Sequence, residues 1–414
     1  MNSDEPVRRV LQVHTRYRQT GGEDAVVAAE RSLLEQAGIS VDQVLFDNPK
    51  AGGSRLSTAP FWQGVAAVWS RSAARRVRDD IRASGAQIVH VHNTFLAASP
   101  SIYAAATESG VPVVQTLHNY RLVCPAGTVY RDGHPCMDCV GRAIPWPAVA
   151  HACYRGSRPQ SAVVALTLAV HRARGTYSSR IGAYIALTRF QRDLLVKGGL
   201  PADRVEVLPN FLEPDPGVKG EPRRGVLFAG RLSSEKGVST LLAAAAQAPG
   251  LVRIAGEGPL SAFVAAAAAA GDVEALGQLD NIGIFDQLHR TVAMVLPSVW
   301  YEGFPVSVLE AFATGTPVIA SRIGSLAEVV EDGVTGLLAS PGDANDLAGR
   351  LRWAIDHPEE MRQMGSCARR EYETKYRGSA HLTALLDMYR RLANASGRDI
   401  LHSQRGSDGS GRSA

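Results

Sequence analysis

Lysine is almost missing from this chain. It occurs five times in 414 residues, at positions 50, 197, 219, 236 and 375, and arginine supplies the other basic side chains. The skew, with abundant Ala and Gly, follows from GC-rich coding, and against it Lys236 in "GRLSSEKG" (230–237) is a residue to explain. Long apolar runs are missing too: the longest candidate, "SAVVALTLAV" from Ser161, stops at "HRARG", short of the ~18 residues a spanning helix needs. The opening "MNSDEPVRRV" has no apolar core, so a secretory leader is not expected and the cytoplasm is the expected compartment. Nowhere does an Asp-x-Asp triplet occur, which removes the usual metal clamp for a nucleotide diphosphate.

Cysteine is rare but not scattered. Cys124, Cys136, Cys139 and Cys153 share one 30-residue window, and Cys367 stands apart. In a reducing compartment "PCMDC" with two flanking cysteines reads as a structural zinc shell that pins a loop lacking its own core. The outer spacings are loose, so free thiols are the alternative, and His134 or His151 could replace one ligand.

What is present is ordinary in bulk and ordered in detail. Hydrophobic content of 45% with 20% charged residues describes a soluble globular protein, and 414 residues exceed one core, so two domains are expected. Short apolar runs alternate with segments of helical length. The first half offers "VLQVH" (10–14), "IVHVHN" (88–93), "PVVQTLHN" (112–119), "AYIALT" (183–188) and "VEVLPN" (205–210). The second offers "GVLFAG" (225–230), "VRIAG" (252–256), "AMVLPS" (293–298) and "PVIAS" (317–321). Continuously apolar strands separated by helices imply parallel sheets covered on both faces, hence two doubly wound α/β domains. The turn-rich stretch 213–224 marks the linker between domains 1–212 and 225–375. A helix over 376–395 is expected to pack back on the first domain, and 396–414 reads as a disordered tail.

Ligands of such sheets gather at the carboxyl ends of strands. Arg231 and Lys236 follow the apolar run ending at Gly230 and stand beside a helix start, a place suited to a diphosphate. In "PSVWYEGFPVSVLEAFATGTPVIAS" (297–321), Glu302 falls in a loop and Glu310 on the helix after it. Two such carboxylates can grip separate hydroxyl pairs of one elongated ligand, with N–H groups of Phe304, Val306 and Ser307 turned to a phosphate between them.

These motifs closely resemble the signature of the family 4 (group 1) glycosyltransferases, retaining enzymes of the GT-B fold. "GRLSSEKG" is similar to that family's diphosphate loop and "AGEGP" (255–259) to its next strand-end turn. "LPNFLE" (208–213) resembles its interdomain segment, and "GSLAEVVEDGVTGLL" (324–338) the stretch after the acidic motif. "QTGGED" (19–24) resembles its glycine loop and "TLHNY" (116–120) its His-containing strand end. The resemblance implies that Glu310 holds the ribose and Glu302 the donor sugar. Arg231 and Lys236 would neutralise the diphosphate with backbone donors from Gly230 and from Gly303 to Ser307. Gly21 and Gly22 would admit the phosphates, and His118 would touch the transferred sugar. It further implies a nucleotide-sugar donor (a UDP-sugar first, GDP-mannose second), retention, and a sugar, lipid-linked or small-molecule acceptor. No cofactor is expected for catalysis. An acid/base role for Glu302 is the rival assignment. The cysteine-bearing segment 121–160 is not required by the family and reads as a lid or acceptor wall.

Between Val140 and Arg204, ten basic residues face only Asp193 and Asp203. On a helix read over 60–80, Trp62, Val65, Ala66 and Trp69 share a face opposite Arg71, Arg75 and Arg78, with Arg76 breaking the pattern. Together these suggest an anionic membrane surface as partner; the alternative is a solvated basic face and tryptophans packed on the core. Two other classes fit less well. A nucleotide-sugar epimerase of the same architecture would need no acceptor. A nucleic-acid binder would need its arginines arranged as a reading module, and none is visible.

Overall fold

The computed structural model describes residues 6–16, 21–48, 64 and 66–408, with side chains described as far as residue 395. Gln19, Thr20, Trp62 and Val65 lie outside the described residues. The first sheet is built from β1 (Arg9–Arg16), β2 (Ser40–Asp47), β3 (Ile88–Asn93) and β4 (Val113–Leu117). A two-residue hairpin, β5 (Tyr130–Arg131) with β6 (His134–Pro135), precedes its last members, β7 (Ala183–Ala186) and β8 (Val205–Val207). Its order is β2-β1-β3-β4-β7-β8, and every neighbouring pair is parallel. The second sheet comprises β9 (Val226–Ala229), β10 (Val252–Ala255), β11 (Val273–Gly277), β12 (Ala293–Leu296), β13 (Val318–Ser321) and β14 (Gly336–Ala339). It runs β11-β10-β9-β12-β13-β14, again all parallel.

Burial explains why the central strands announce themselves. Every residue of β3, β4, β7, β12 and β13 is buried, because helices cover both faces of a parallel sheet. The three strands of the large sheets absent from the apolar-run reading are β2, β11 and β14, all at sheet edges. β2 (SVDQVLFD) and β11 (VEALG) mix exposed polar with buried apolar positions, as a strand open on one side does.

The helix Gly378–Asp408 returns to the first domain. His381 Nε2 lies 3.4 Å from Glu30, Tyr389 bonds His90 at 2.7 Å, and Arg391 pairs with Glu206. It continues past Ser396, where composition marked a tail, since no proline interrupts it; residues 409–414 lie outside the described residues.

The helix read over 60–80 is not continuous. A helix starts at Arg71, capped by Ser70, whose hydroxyl accepts from Ala73 N–H, and Trp69 lies in the break before it. The Trp69 ring stacks on His171 at 5.9 Å. This tryptophan therefore packs on the domain and does not extend a membrane-facing stripe.

Candidate active site at the facing sheet ends

In both sheets the chain leaves the first strand on one side and later returns on the other. These switch points lie between β9 and β12 and between β1 and β3, and each opens a crevice at the strands' carboxyl ends.

After β9 the chain makes one helical turn over Ser234–Lys236, then Gly237 opens the helix Val238–Ala245. Gly237 has φ +71°, and a Cβ there would stand 1.8 Å from the Pro297 carbonyl oxygen. Only glycine lets the loop after β9 press on the loop after β12 this closely. That approach delivers Lys236: its Nζ donates to Glu302 Oε1 at 2.7 Å, and Ser298 Oγ donates to the same oxygen at 2.8 Å. The Glu302 carboxylate is almost fully buried and its side chain is 8% exposed. Lys236 also sits 5.6 Å from the centre of the Trp300 ring, whose buried Nε1 has no partner among the described residues. Arg231, five residues before Lys236 on the loop after β9, is exposed, and its guanidinium engages no partner among the described residues.

Glu310 lies on the helix Val306–Ala313, with Pro305 at the N-cap. Its carboxylate has no protein partner among the described residues, and burial lifts its pKa to about 7. The N–H groups of Phe304, Val306 and Ser307 take no part in the turn bonding there, whereas Val308 N–H is bonded to Pro305 O. The first domain brings its glycine loop to the same place. Gly22 opens the helix Gly22–Gln36, and a Cβ on it would lie 3.7 Å from Val306 Cγ2. Among the described residues no atom crowds Gly21, so the steric demand there concerns a ligand.

His118 follows β4 on the opposite wall. A Cβ at Gly303 would meet the His118 carbonyl oxygen at 2.8 Å, so the acidic loop touches the histidine loop directly. Tyr120 Oη donates to the Glu302 carbonyl at 3.1 Å, and Asn210 Nδ2 to that of Phe304 at 3.4 Å. Glu328 accepts from Arg189 N–H and Phe190 N–H, at 2.9 and 2.7 Å, at the start of the helix Arg189–Lys197. The structure thus brings Glu302, Lys236, Gly303 and His118 together; Arg231 lies on the loop after β9 and Glu310 on the helix after the acidic loop, each unpaired among the described residues. Ser298, Trp300 and Tyr120 were invisible as site residues in the sequence, since no spacing rule joins Tyr120 to a loop about 180 residues away.

A cavity of about 40 Å³ opens at the ends of β3 and β4, among them His92, Asn93, Phe95, His118, Arg121 and Tyr177. Arg121, the first residue of the cysteine-bearing segment, lies over the Phe95 ring at 3.8 Å and donates to Pro125 O. The segment therefore borders the cavity. All four cysteines are free; Cys124 and Cys139 are buried, and burial together with the neighbouring thiols raises Cys139 to about 11. Among the described residues, one set places three ligand atoms within 4.8 Å of one another, and it is Glu30, His90 and His92, not the cysteines.

Two facing parallel-sheet domains with the carboxyl ends of their strands turned to one crevice define the GT-B architecture. The model described as "Glycosyl transferases group 1" matches residues 213–371, and "Glycosyltransferase Family 4" matches residues 7–216. The chain belongs to this family of glycosyltransferases. It is 36% identical over 180 residues to glycogen synthase of Mycobacterium tuberculosis, covering 41% of this chain and 43% of that protein. It is 26% identical over 347 residues to alpha-D-kanosaminyltransferase of Streptomyces kanamyceticus, covering 80% and 83%. The chain spans about half the length or less of the first curated relatives it matches. Among solved structures, Anabaena HepE in complex with UDP shares the fold at TM-score 0.65 and 18% identity, covering 92% of this chain and all of that one. Sucrose-phosphate synthase from Thermosynechococcus elongatus does so at 0.69 and 18%, covering 94% and 100%.

Proposed function

We propose that this protein is a retaining, metal-independent glycosyltransferase that moves a sugar from a nucleotide-sugar donor to an acceptor hydroxyl. The carrying observation is the Lys236–Glu302 pair at a strand-order switch point and against the loop of His118, with an unpaired Arg231 on the loop that carries Lys236. Arg231 and Lys236 would meet the diphosphate, and the free N–H groups of 304, 306 and 307 would complete its cradle. Glu310 would accept from the ribose hydroxyls, and Glu302 would hold the sugar. Because Glu302 Oε1 already accepts from an ammonium and a hydroxyl, it is built to position rather than to give up a proton.

Transfer breaks the bond from the anomeric carbon to the phosphate oxygen and forms one to the acceptor oxygen on the same face. The acceptor's proton passes to the leaving phosphate oxygen, and the nucleoside diphosphate departs with both bonding electrons. Stabilising that charge falls to Arg231, Lys236 and the backbone dipoles. A UDP-sugar is the first donor to test, since HepE was solved with UDP and with UDP-glucose; GDP-mannose is second. An amylovoran biosynthesis glycosyltransferase of Erwinia amylovora and the kanosaminyltransferase lie among the relatives, which supports cell-surface polysaccharide or natural-product assembly.

The test is a thermal-shift screen of nucleotide sugars on the wild type and Glu310→Gln. A donor should protect only the wild type. The free variant should itself melt higher at pH 8, because an unpartnered, half-buried carboxylate loses stability as pH rises from about 4.5 through about 7. The gain from removing it is at most about 3 kcal/mol. Donor affinity should run the other way, weakening about tenfold per pH unit below 7, since the protonated carboxyl cannot accept from both ribose hydroxyls. Equal protection of both proteins would remove the ribose assignment, and donor epimerised without acceptor would make the protein an epimerase.

Two further parts of the reading concern partners. No described helix is long and apolar enough to cross a membrane. Ile144 and Trp146 are 61% and 57% exposed, Arg142 lies 5.7 Å from the Trp146 ring, and Arg155 and Arg158 are exposed nearby in sequence. An anionic bilayer fits that surface, so phosphatidylglycerol vesicles should float the wild type and release Trp146→Ser. Structural zinc in the cysteine segment would require the four sulfurs to draw together. About one equivalent of zinc should accompany the purified chain, with a lower melting temperature in chelator. Metal-free protein with unchanged melting assigns ordinary thiols.

A further inference from the structure

Glu30 lies deep in the first domain, 1% exposed, on the helix Gly22–Gln36. Its Oε1 accepts from Gln12 Nε2 at 3.1 Å and lies 2.9 Å from His90 Nδ1 and 3.3 Å from His92 Nε2. His381, on the last helix, reaches Oε2 at 3.4 Å. Burial pushes Glu30 up, but the histidines set around it outweigh burial and hold the carboxyl well below its usual range.

The chain of contacts runs on to the site. His92 Nδ1 lies 3.1 Å from His118 Nε2, with the two rings stacked at 5.4 Å. His92 is held to a pKa of about 4 by burial and by His90, so it carries one proton. Its Nε2 is buried with no aligned hydrogen bond, and the Glu30 oxygen is the acceptor beside it. Two lone pairs facing each other at that separation would repel, so the proton belongs on His92 Nε2. His92 Nδ1 is then bare, and by the same argument His118 Nε2 carries the proton. Burial and His92 also keep His118 neutral, which leaves its Nδ1 an acceptor.

We infer that Glu30 is a positioning residue which, through His92, fixes His118 as the Nε2–H tautomer, so that His118 accepts a hydrogen bond from a substrate hydroxyl instead of donating one. The substrate half of this statement rests on the proposed transferase function; the tautomer does not. The last helix belongs to the same array, since His381 touches Glu30 and Tyr389 touches His90.

The test begins on the free, full-length protein labelled with ¹⁵N-histidine, in which a His118→Asn variant assigns the His118 signals. Long-range ¹H–¹⁵N correlations should show His118 as Nε2–H in the wild type and as a mixture of tautomers in Glu30→Gln. Finding Nδ1–H in the wild type overturns the inference. So would a metal ion on Glu30, His90 and His92, since ligation at His92 Nε2 forces the proton to Nδ1 and reverses His118. The second arm measures turnover with the donor that protects the wild type. Glu30→Gln should lower kcat on the order of 10²-fold, less than the ~10⁴ of a carboxylate that orients a general-base histidine, because His118 does not take the transferred proton. Donor KM and UDP affinity should stay within about twofold, a split that general loosening would not give. A folded Glu30→Gln enzyme with wild-type kcat refutes the inference. If that variant does not fold, the wild-type tautomer decides alone. Absence of any nucleotide binding would instead count against the transferase reading and leave the tautomer measurement standing.

Discussion

Lys236→Ala is expected to lower kcat/KM for the sugar nucleotide by about three orders of magnitude. One part of the loss is a charge-assisted hydrogen bond to the diphosphate, about 1.5–3 kcal/mol. The other arises because Glu302 keeps only the Ser298 hydroxyl on the oxygen that Lys236 had held. A buried carboxylate deprived of its cation costs about 3 kcal/mol or changes its protonation. Since one side chain serves both ends, the Lys236→Ala and Glu302→Gln effects should not add. The double variant should be less impaired than the product of the singles by about tenfold. Arginine should not rescue Lys236, because its planar fork cannot replace a compact ammonium between a carboxylate and a phosphate. Additive effects, or turnover that survives Lys236→Ala, would remove the pair from the mechanism.

The second large effect belongs to a residue with no polar atom in its side chain. Gly237→Ala should destabilise the chain by about 3 kcal/mol or more and abolish donor binding. The added methyl would stand 1.8 Å from the Pro297 carbonyl, and backbone cannot step aside as a flexible side chain can. Relief requires the loops after β9 and β12 to part, which carries Lys236 away from Glu302. Gly217→Ala is the control: it shares φ +71° but has open space around it, so it should cost only about 1 kcal/mol of backbone strain. Equal effects in the two variants would mean that the close approach is unimportant. Chemical denaturation for stability and UDP titration for binding separate the two consequences.

Much of this arrangement is legible in the sequence. The strands buried on both faces, from "IVHVHN" to "AMVLPS", were readable because a parallel sheet removes every side chain from water and leaves an unbroken apolar run. β2 and β11 escaped because one side meets solvent, so β11 reads as polar and short; solvent does not account for β14, whose four residues are all buried. The 60–80 stretch left two readings for a related reason: an apolar stripe at helical spacing does not reveal whether lipid or the protein's own core covers it, and Trp69 packs on His171, the second of them. For the cysteines, sequence proximity placed all four in one segment but could not set their sulfur separations.

Sequence alone determined the local chemistry: a doubly repeated strand–helix grammar, a lysine held between glycines, and two carboxylates eight positions apart. These depend on contacts within a few residues, whose geometry the backbone dictates. Tertiary structure alone decided the partnerships: Lys236 with Glu302, Gly303 against His118, and Glu30 behind His92. Those contacts join strand ends that lie far apart along the chain and meet only because both sheets turn the same ends inward. Burial then gives each pairing its strength, since a charge removed from water interacts with whichever group the fold has set beside it.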